Sequence, residues 1–402
     1  MLPSPRAGGE KGSAEVLRVR LSLIGSPVVA VLVGFGGTLA VIVEAARAVG
    51  ASPGQITSWV TGLCLAMAGT TAWLTWRHRQ PIVTAWSTPG AALIAAMPGI
   101  YDPHQAVGAF LFAAALILLS AALKPLAALI ERIPPAIAGA MLAGVLLRFV
   151  IGAVAGINSD PLFVLVLIGL FLVLRLMAPI AAVPIVVVLG LVWAWLGGRL
   201  SGVSGVGLSH VELIAPAFDP AALIGLGVPL FLVTMASQNL PGVAVLRAAG
   251  YSPPVRPILA VTGLASLLTA PLGAHTSNLA AITASLCTGP DTHPDPAKRW
   301  QVGPFYAAGY LLCAIFGASL VAVFAALPPA LMATIAGLAL LAPFIGALGV
   351  ALEQPAHRYA AGVTFAVSAA GVTFLGLGSA FWGLAAGILV LALDRVRAIF
   401  VK

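Results

Sequence analysis

The sequence predicts an all-α polytopic membrane protein, its fourteen transmembrane segments laid out as two inverted repeats of seven. Three observations carry the prediction. The 402 residues are 60% hydrophobic and only 8% charged, whereas a soluble domain carries about 25% charged residues. Apolar runs of roughly 17–25 residues recur from Val28 to the C-terminus, the length of helix that crosses about 30 Å of hydrocarbon. Short stretches of the first half return, in the same order, in the second.

Residues 1–25 open with MLPSPRAGGEKGSAEVLRVR, rich in Pro, Gly and charge, and read as a cytoplasmic tail rather than a signal peptide. Spans are expected at 28–46, 56–76, 87–98, 105–123, 135–153, 161–177 and 180–197. After an outer linker, 198–220, seven more follow at 221–241, 256–271, 276–288, 302–325, 329–349, 358–375 and 378–393. With both termini inside, every Lys and Arg except Arg47, Arg148 and Arg199 falls on the inner side, which fixes the orientation.

The repeat rests on three collinear matches. RAVGASP at 47–53 returns as RAAGYSP at 247–253, VTGL at 60–63 returns at 261–264, and IPPA at 133–136 returns as LPPA at 327–330. A seven-span unit is odd, so the second copy runs upside down relative to the first, the inverted-repeat plan of secondary transporters. The first repeat covers 26–197 and the second 221–402.

The third and tenth spans are too short to cross. From Ser87 to Met97 a helix rises only about 16 Å, so each is expected to reach mid-membrane as extended chain, over 81–86 and 269–275, and to continue as a half-helix. Ser87-Thr88-Pro89-Gly90 has the chemistry of a helix start, a hydroxyl acceptor followed by Pro. Thr276-Ser277-Asn278 offers the same acceptors in the second half. Two half-helix N-termini then face each other near the midplane, where an anion fits. The same side chains equally serve as plain caps or bridges between helices. Gln238 and Asn239, beside Ser237 in span 8, add polar groups, and Gly36 in span 1 permits close backbone approach.

Ionisable groups inside the spans are few. Glu44 falls near the outer end of its span, and Arg148 and Arg175 lie near span ends where they can snorkel. His275 stands at the expected chain crossover. Two roles fit it: a proton carrier at physiological pH, or a neutral histidine bonded to backbone. The three cysteines, Cys64, Cys287 and Cys313, lie in or beside apolar spans and indicate neither disulfides nor a metal site. A net charge of +8 raises nucleic acid as a partner, but the basic residues are scattered singly between spans and report topology.

The stretches ASQNLPGVAVLRAAGYSP (236–253), TAPLGAHTSNLAAITASLCTG (269–289) and STPGAAL (87–93) resemble the BenE family of bacterial benzoate membrane transporters, over nearly all of 20–400. The resemblance implies proton-coupled uptake of benzoate across the inner membrane. It implies a fold similar to that of uracil transporters and anion exchangers, with a core domain (26–126 and 221–326) that moves against a gate domain (134–197 and 328–399). Nucleobase carriers of that fold use acidic residues in spans 8 and 10, where this chain has Ser237, Gln238, Asn239 and Asn278.

The candidate substrate-binding residues are thus Gly36, Ser87, Thr88, Pro89, Gly90, Gln238, Asn239, Thr276, Ser277 and Asn278, with His275 as candidate for proton coupling. The expected partners are benzoate or a similar aromatic carboxylate, protons and membrane lipid, with a homodimer left open and no nucleic acid, cofactor or metal. The alternative within transport is a carrier of another small anion or a nucleobase. A membrane-embedded enzyme would need a His/Cys/Asp/Glu constellation that the sequence does not cluster.

Overall fold

The computed structural model of the protein describes residues 7–123, 134–179, 181–199 and 207–400. The expected tail 1–25, the linker 198–220 and the boundary at 126 therefore lie partly outside the described residues. In the first half the elements are α1 (Ala7–Ala48), α2 (Pro53–His78), β1 (Thr84–Trp86), α3 (Thr88–Ala95), α4 (Pro103–Ala122), α5 (Pro135–Ala155), α6 (Pro161–Met177) and α7 (Ala182–Leu196). The second half holds α8 (Pro220–Ala248), α9 (Val255–Thr269), β2 (Ser277–Leu279), α10 (Ile282–Thr288), α11 (Val302–Ile315), α12 (Gly317–Ala325), α13 (Pro329–Glu353), α14 (Arg358–Ala369) and α15 (Ser379–Phe400).

Each of the fourteen expected spans overlaps at least one of these helices, and the eleventh, 302–325, holds two, α11 and α12. Among the described residues, seven helices are long and apolar enough to cross a membrane singly: α1 from Ser22, α4, α5, α8, α9, α13 and α15. The pair α11 and α12 is bent by 64° and makes an eighth if counted as one span. Helix α1 begins at Ala7, so most of the stretch expected as a tail is helical.

Local sequence explains where several helices start. Ser52-Pro53-Gly54-Gln55 and Asp102-Pro103-His104-Gln105 share one pattern, and both form reciprocal capping boxes at the heads of α2 and α4. Proline follows the cap in each, where its missing N–H costs nothing. Asp219 caps α8 by a single bond, accepting from the Ala222 N–H at 3.2 Å.

The helices pack in two groups. One contains α1–α4 with α8–α12, its main contacts being α2 on α11, α4 on α9 and α1 on α3 and α11. In the other, α5 lies against α13 and α14, and α14 against α15. The α5–α13 crossing is close because small residues meet there: a Cβ on Gly139 would stand 2.8 Å from the Ala347 carbonyl oxygen.

At the centre of the first group β1 and β2 pair antiparallel, with Thr84 opposite Leu279, Ala85 opposite Asn278 and Trp86 opposite Ser277. The extended chain expected in the first half is therefore present. In the second half it lies further along than expected: Ala270–Leu272 is a 3-10 turn, Gly273 is left-handed at φ 88°, and the strand begins at Ser277. Thr276, Ser277 and Asn278 do not cap a helix. The half-helix α10 starts after Ala281 with no side-chain cap. Thr, Ser and Asn are mediocre helix formers, and here they gain ladder bonds to β1 instead.

Candidate functional site

Two short strands in hydrocarbon must have their outer edges satisfied by protein. On β1 the Thr84 N–H donates to Thr71 Oγ1 at 3.0 Å, and the Thr84 carbonyl accepts from the Tyr306 hydroxyl at 2.8 Å. On β2 the Ser277 N–H donates to Ser266 Oγ at 2.8 Å, and the Leu279 N–H to Asn239 Oδ1 at 2.9 Å. Beyond the strands, the Ser87 N–H donates to the Thr276 carbonyl and the Ala280 N–H to the Val83 carbonyl, both at 3.0 Å. The Thr234 and Thr276 hydroxyls share a hydrogen bond of 2.6 Å. Helices α2, α8, α9 and α11 thus each fasten the crossover with at least one side chain.

His275 belongs to this fastening. An indole N–H can only donate, and Trp59 Nε1 lies 3.1 Å from His275 Nδ1, so Nδ1 accepts and the ring hydrogen sits on Nε2. Nε2 in turn donates to the Ser87 carbonyl at 3.0 Å. The imidazole is fully buried against Trp59 and Phe110. Both nitrogens are committed in an uncharged ring.

Ser87 heads α3 as its residue type suggests, its Oγ accepting from the Gly90 N–H at 3.1 Å. Gly90 is filled in on both sides: a Cβ there would stand 2.6 Å from Leu230 Cδ1 and 2.8 Å from Ser87 Oγ. Thr88 is half-buried beside it.

A cavity of about 740 Å³ lies between the two helix groups, beside the heads of both half-helices. The first group contributes Pro89 from α3, Ala281 before α10, and Ser237 and Gln238 from α8. The facing wall comes from α5 and α13, with Gly139, Met141, Pro343 and Gly346. The cavity reaches Pro135, Val255 and Val350, which mark the start of α5, the start of α9 and the end of α13. Nearer the opposite end of α5, Arg148 donates to the carbonyl oxygens of Ala95 and Ala96 at the end of α3, tying the groups together. The cavity lining thus extends to helix ends on one side of the bundle, while Arg148 bridges the two groups on the other.

Of the expected site residues, Pro89 and Gln238 line this cavity. Ser87, His275, Thr276, Ser277 and Asn278 are fully buried behind it at the crossover, and Asn239 nearly so. Ser277 Oγ and Asn278 Oδ1 make no hydrogen bond among the described residues. Gly36 does not line the cavity, and a Cβ on it would meet nothing within 4 Å. Three features escaped the sequence reading. Residues Met235–Asn239 form a π-helical turn that swings Ser237 and Gln238 into the cavity while Asn239 turns to β2. The second is Ala281, and the third is the α5–α13 wall, whose sequence signal is Pro343 inside an otherwise apolar span.

Chemically the cavity is plain. Its polar side chains are Ser237 and Gln238, and none of its lining residues is titratable. No group of three or more His, Cys, Asp or Glu suited to a metal ion occurs among the described residues.

Comparison with known proteins adds a second line of evidence. Residues 18–393 match the family described as "BenE: Benzoate membrane transport protein". The chain is 41% identical over 374 residues to "Inner membrane protein YdcO" of Escherichia coli (strain K12), covering 92% of this chain and 96% of that protein. It is 35% identical over 361 residues to "Benzoate membrane transport protein" of Acinetobacter baylyi, covering 90% and 92% respectively. Among solved structures, it resembles the transmembrane domain of a cyanobacterium bicarbonate transporter, BicA, with TM-score 0.60 and 15% identity over 94% of this chain and 97% of that one. SLC26A9 matches with TM-score 0.64 and 13% identity over 96% of this chain and 70% of that one. At such identities the structural likeness concerns the fold alone.

Proposed function

Because the chain belongs to the BenE family of benzoate membrane transport proteins, and is therefore a membrane transporter rather than an enzyme, we propose that it moves benzoate or a related aromatic acid, with protons, across a bacterial inner membrane. One observation carries the choice of substrate. The cavity beside the half-helices is apolar except for Ser237 and Gln238, which suits a flat ring bearing a single polar group. The carboxyl group faces Gln238 and the head of α3, and the ring lies against Met141, Pro343 and Gly346.

The two helix groups supply the moving parts. In this reading α1–α4 and α8–α12 form the core that holds the ligand, α5–α7 and α13–α15 form the gate, and fourteen crossings leave both termini in the cytoplasm. The cavity then faces the cytoplasm, and transport requires the Arg148 side to open as the other closes. Ser87, Asn239, Thr276, Ser277 and Asn278 hold the half-helices in place behind the ligand.

A different small anion is the competing reading, since BicA shares the fold. An inorganic oxyanion wants cationic or many N–H donors around it, and the lining offers no basic side chain. Counterflow in proteoliposomes separates the two. Internal unlabelled benzoate is expected to drive uptake of labelled benzoate, with bicarbonate, sulfate and uracil failing to compete, and an inside-alkaline pH gradient is expected to give uphill accumulation. Exchange of sulfate, bicarbonate or uracil in place of benzoate would end the proposal.

A further inference from the structure

The cavity lacks what a bound anion needs. No Lys, Arg or His lines it. On the elements that form its walls, Arg148 is engaged by the Ala95 and Ala96 carbonyls, while Arg247, Arg256, Glu353, Asp394 and Arg395 are exposed near helix ends. His275 lies behind the strands as an uncharged ring with both nitrogens taken. The head of α3 is a poor anion seat as well. Pro89 has no N–H, and the Gly90 N–H is already given to Ser87 Oγ.

Gln238 faces the cavity, and none of the described hydrogen bonds uses its side-chain amide. A primary amide carries a donor and an acceptor side by side. Against a protonated carboxyl both can be used at once, N–H to the carbonyl and O–H to the amide oxygen. Against a carboxylate only the donor half can bond, and the amide oxygen meets a negative oxygen.

We propose that the cavity takes the aromatic acid in its protonated, uncharged form, with Gln238 pairing to the carboxylic acid group, so that the substrate itself carries the proton across. The inference rests on the assignment of an aromatic acid to this cavity. A carboxyl group of ordinary acidity, ionising at about pH 4, is protonated in roughly one molecule in 1,000 at pH 7. Selecting that minority costs affinity by the same factor, but an unpaired carboxylate in an apolar, cation-free cavity forfeits more in lost hydration. One proton crosses with each acid, released when the acid ionises on the far side, and no charge moves through the protein.

The test is equilibrium binding to the purified full chain between pH 5 and pH 8, using benzoate, benzamide and benzenesulfonate. Benzamide imitates the neutral acid at every pH, and benzenesulfonate is an anion throughout. The apparent Kd for benzoate is expected to rise about tenfold per pH unit, the Kd for benzamide to stay flat, and benzenesulfonate not to compete. Gln238→Leu is expected to weaken benzoate and benzamide alike, by tenfold or more, with the benzoate slope unchanged. A pH-independent Kd for benzoate, or competition by benzenesulfonate, overturns the inference. A benzamide Kd that rises in parallel with that of benzoate places the proton on the protein and overturns it too. Failure of all three compounds to bind at any pH counts instead against the aromatic-acid assignment.

Discussion

Arg148 of α5 reaches the end of α3, where its guanidinium donates to the Ala95 carbonyl oxygen at 3.1 Å and also to that of Ala96. The last carbonyls of a helix carry partial negative charge, so the contact is charge-assisted and joins a helix of one group to a half-helix of the other. Arg148→Met removes the donors while keeping an apolar stem. For an exposed side chain the contact is worth about 1 kcal/mol, so the closed side should open roughly fivefold more often. A cysteine at Ala96 is expected to react faster with a reagent added from that side in the Arg148→Met background. Equal rates would show that the tie does not hold the groups.

His275 offers a stability test. Its ring satisfies two buried groups, the Trp59 N–H and the Ser87 carbonyl. His275→Ala leaves both unpaired at a cost of about 2–4 kcal/mol, visible as a fall in melting temperature. His275→Gln can restore part of the bonding but cannot titrate. It should recover most of the stability and keep pH-driven accumulation, whereas loss of accumulation in a folded variant would make His275 the proton carrier.

Gly346 and Gly90 are expected to respond in opposite ways to valine. Gly346 lines the cavity, and a Cβ there meets nothing within 4 Å. Gly346→Val should fold normally and lose benzoate affinity by about tenfold, through lost volume in the site. Gly90→Val drives a side chain into Leu230 and into the Ser87 cap, so it should destabilise the protein by about 1–3 kcal/mol. Melting curves with a benzoate titration distinguish the two. A stable Gly90→Val with weak binding would place Gly90 at the ligand.

Asn239 and Gln238 are neighbours in sequence with different tasks. Asn239→Ala leaves the Leu279 N–H of β2 without its acceptor, a loss of about 1–3 kcal/mol in stability. Gln238→Ala should leave the melting temperature nearly unchanged and reduce benzoate affinity. The reverse pattern would mean that the π turn presents Asn239 to the ligand.

The parts of this structure that are legible in sequence are those with local causes. Ser87 caps the helix that starts at Thr88 through an N–H three residues away, and Ser52-Pro53 and Asp102-Pro103 announce helix starts by the same short-range chemistry. The place of β2 was not legible to the residue, because the groups that satisfy its edge, Ser266 and Asn239, come from other helices. A row of Thr, Ser and Asn looks like a cap until those acceptors are known. The orientation of His275 has the same origin, since Trp59 lies 216 residues away. The α5–α13 wall was hidden for a different reason: apolar residues facing a cavity and apolar residues facing lipid have the same composition.

The pairing of β1 with β2 has a consequence in time. His275 and its acceptor Ser87 are 188 residues apart, and a ribosome adds about 5–20 residues per second. Once β1 has been synthesised, it waits roughly 10–40 s before its partner strand exists. Throughout that interval its backbone groups have no ladder to join inside the bilayer. The first half of the chain must therefore be kept in a wetter or guarded setting, at the insertion machinery or near the membrane surface, until the second half arrives to seal it.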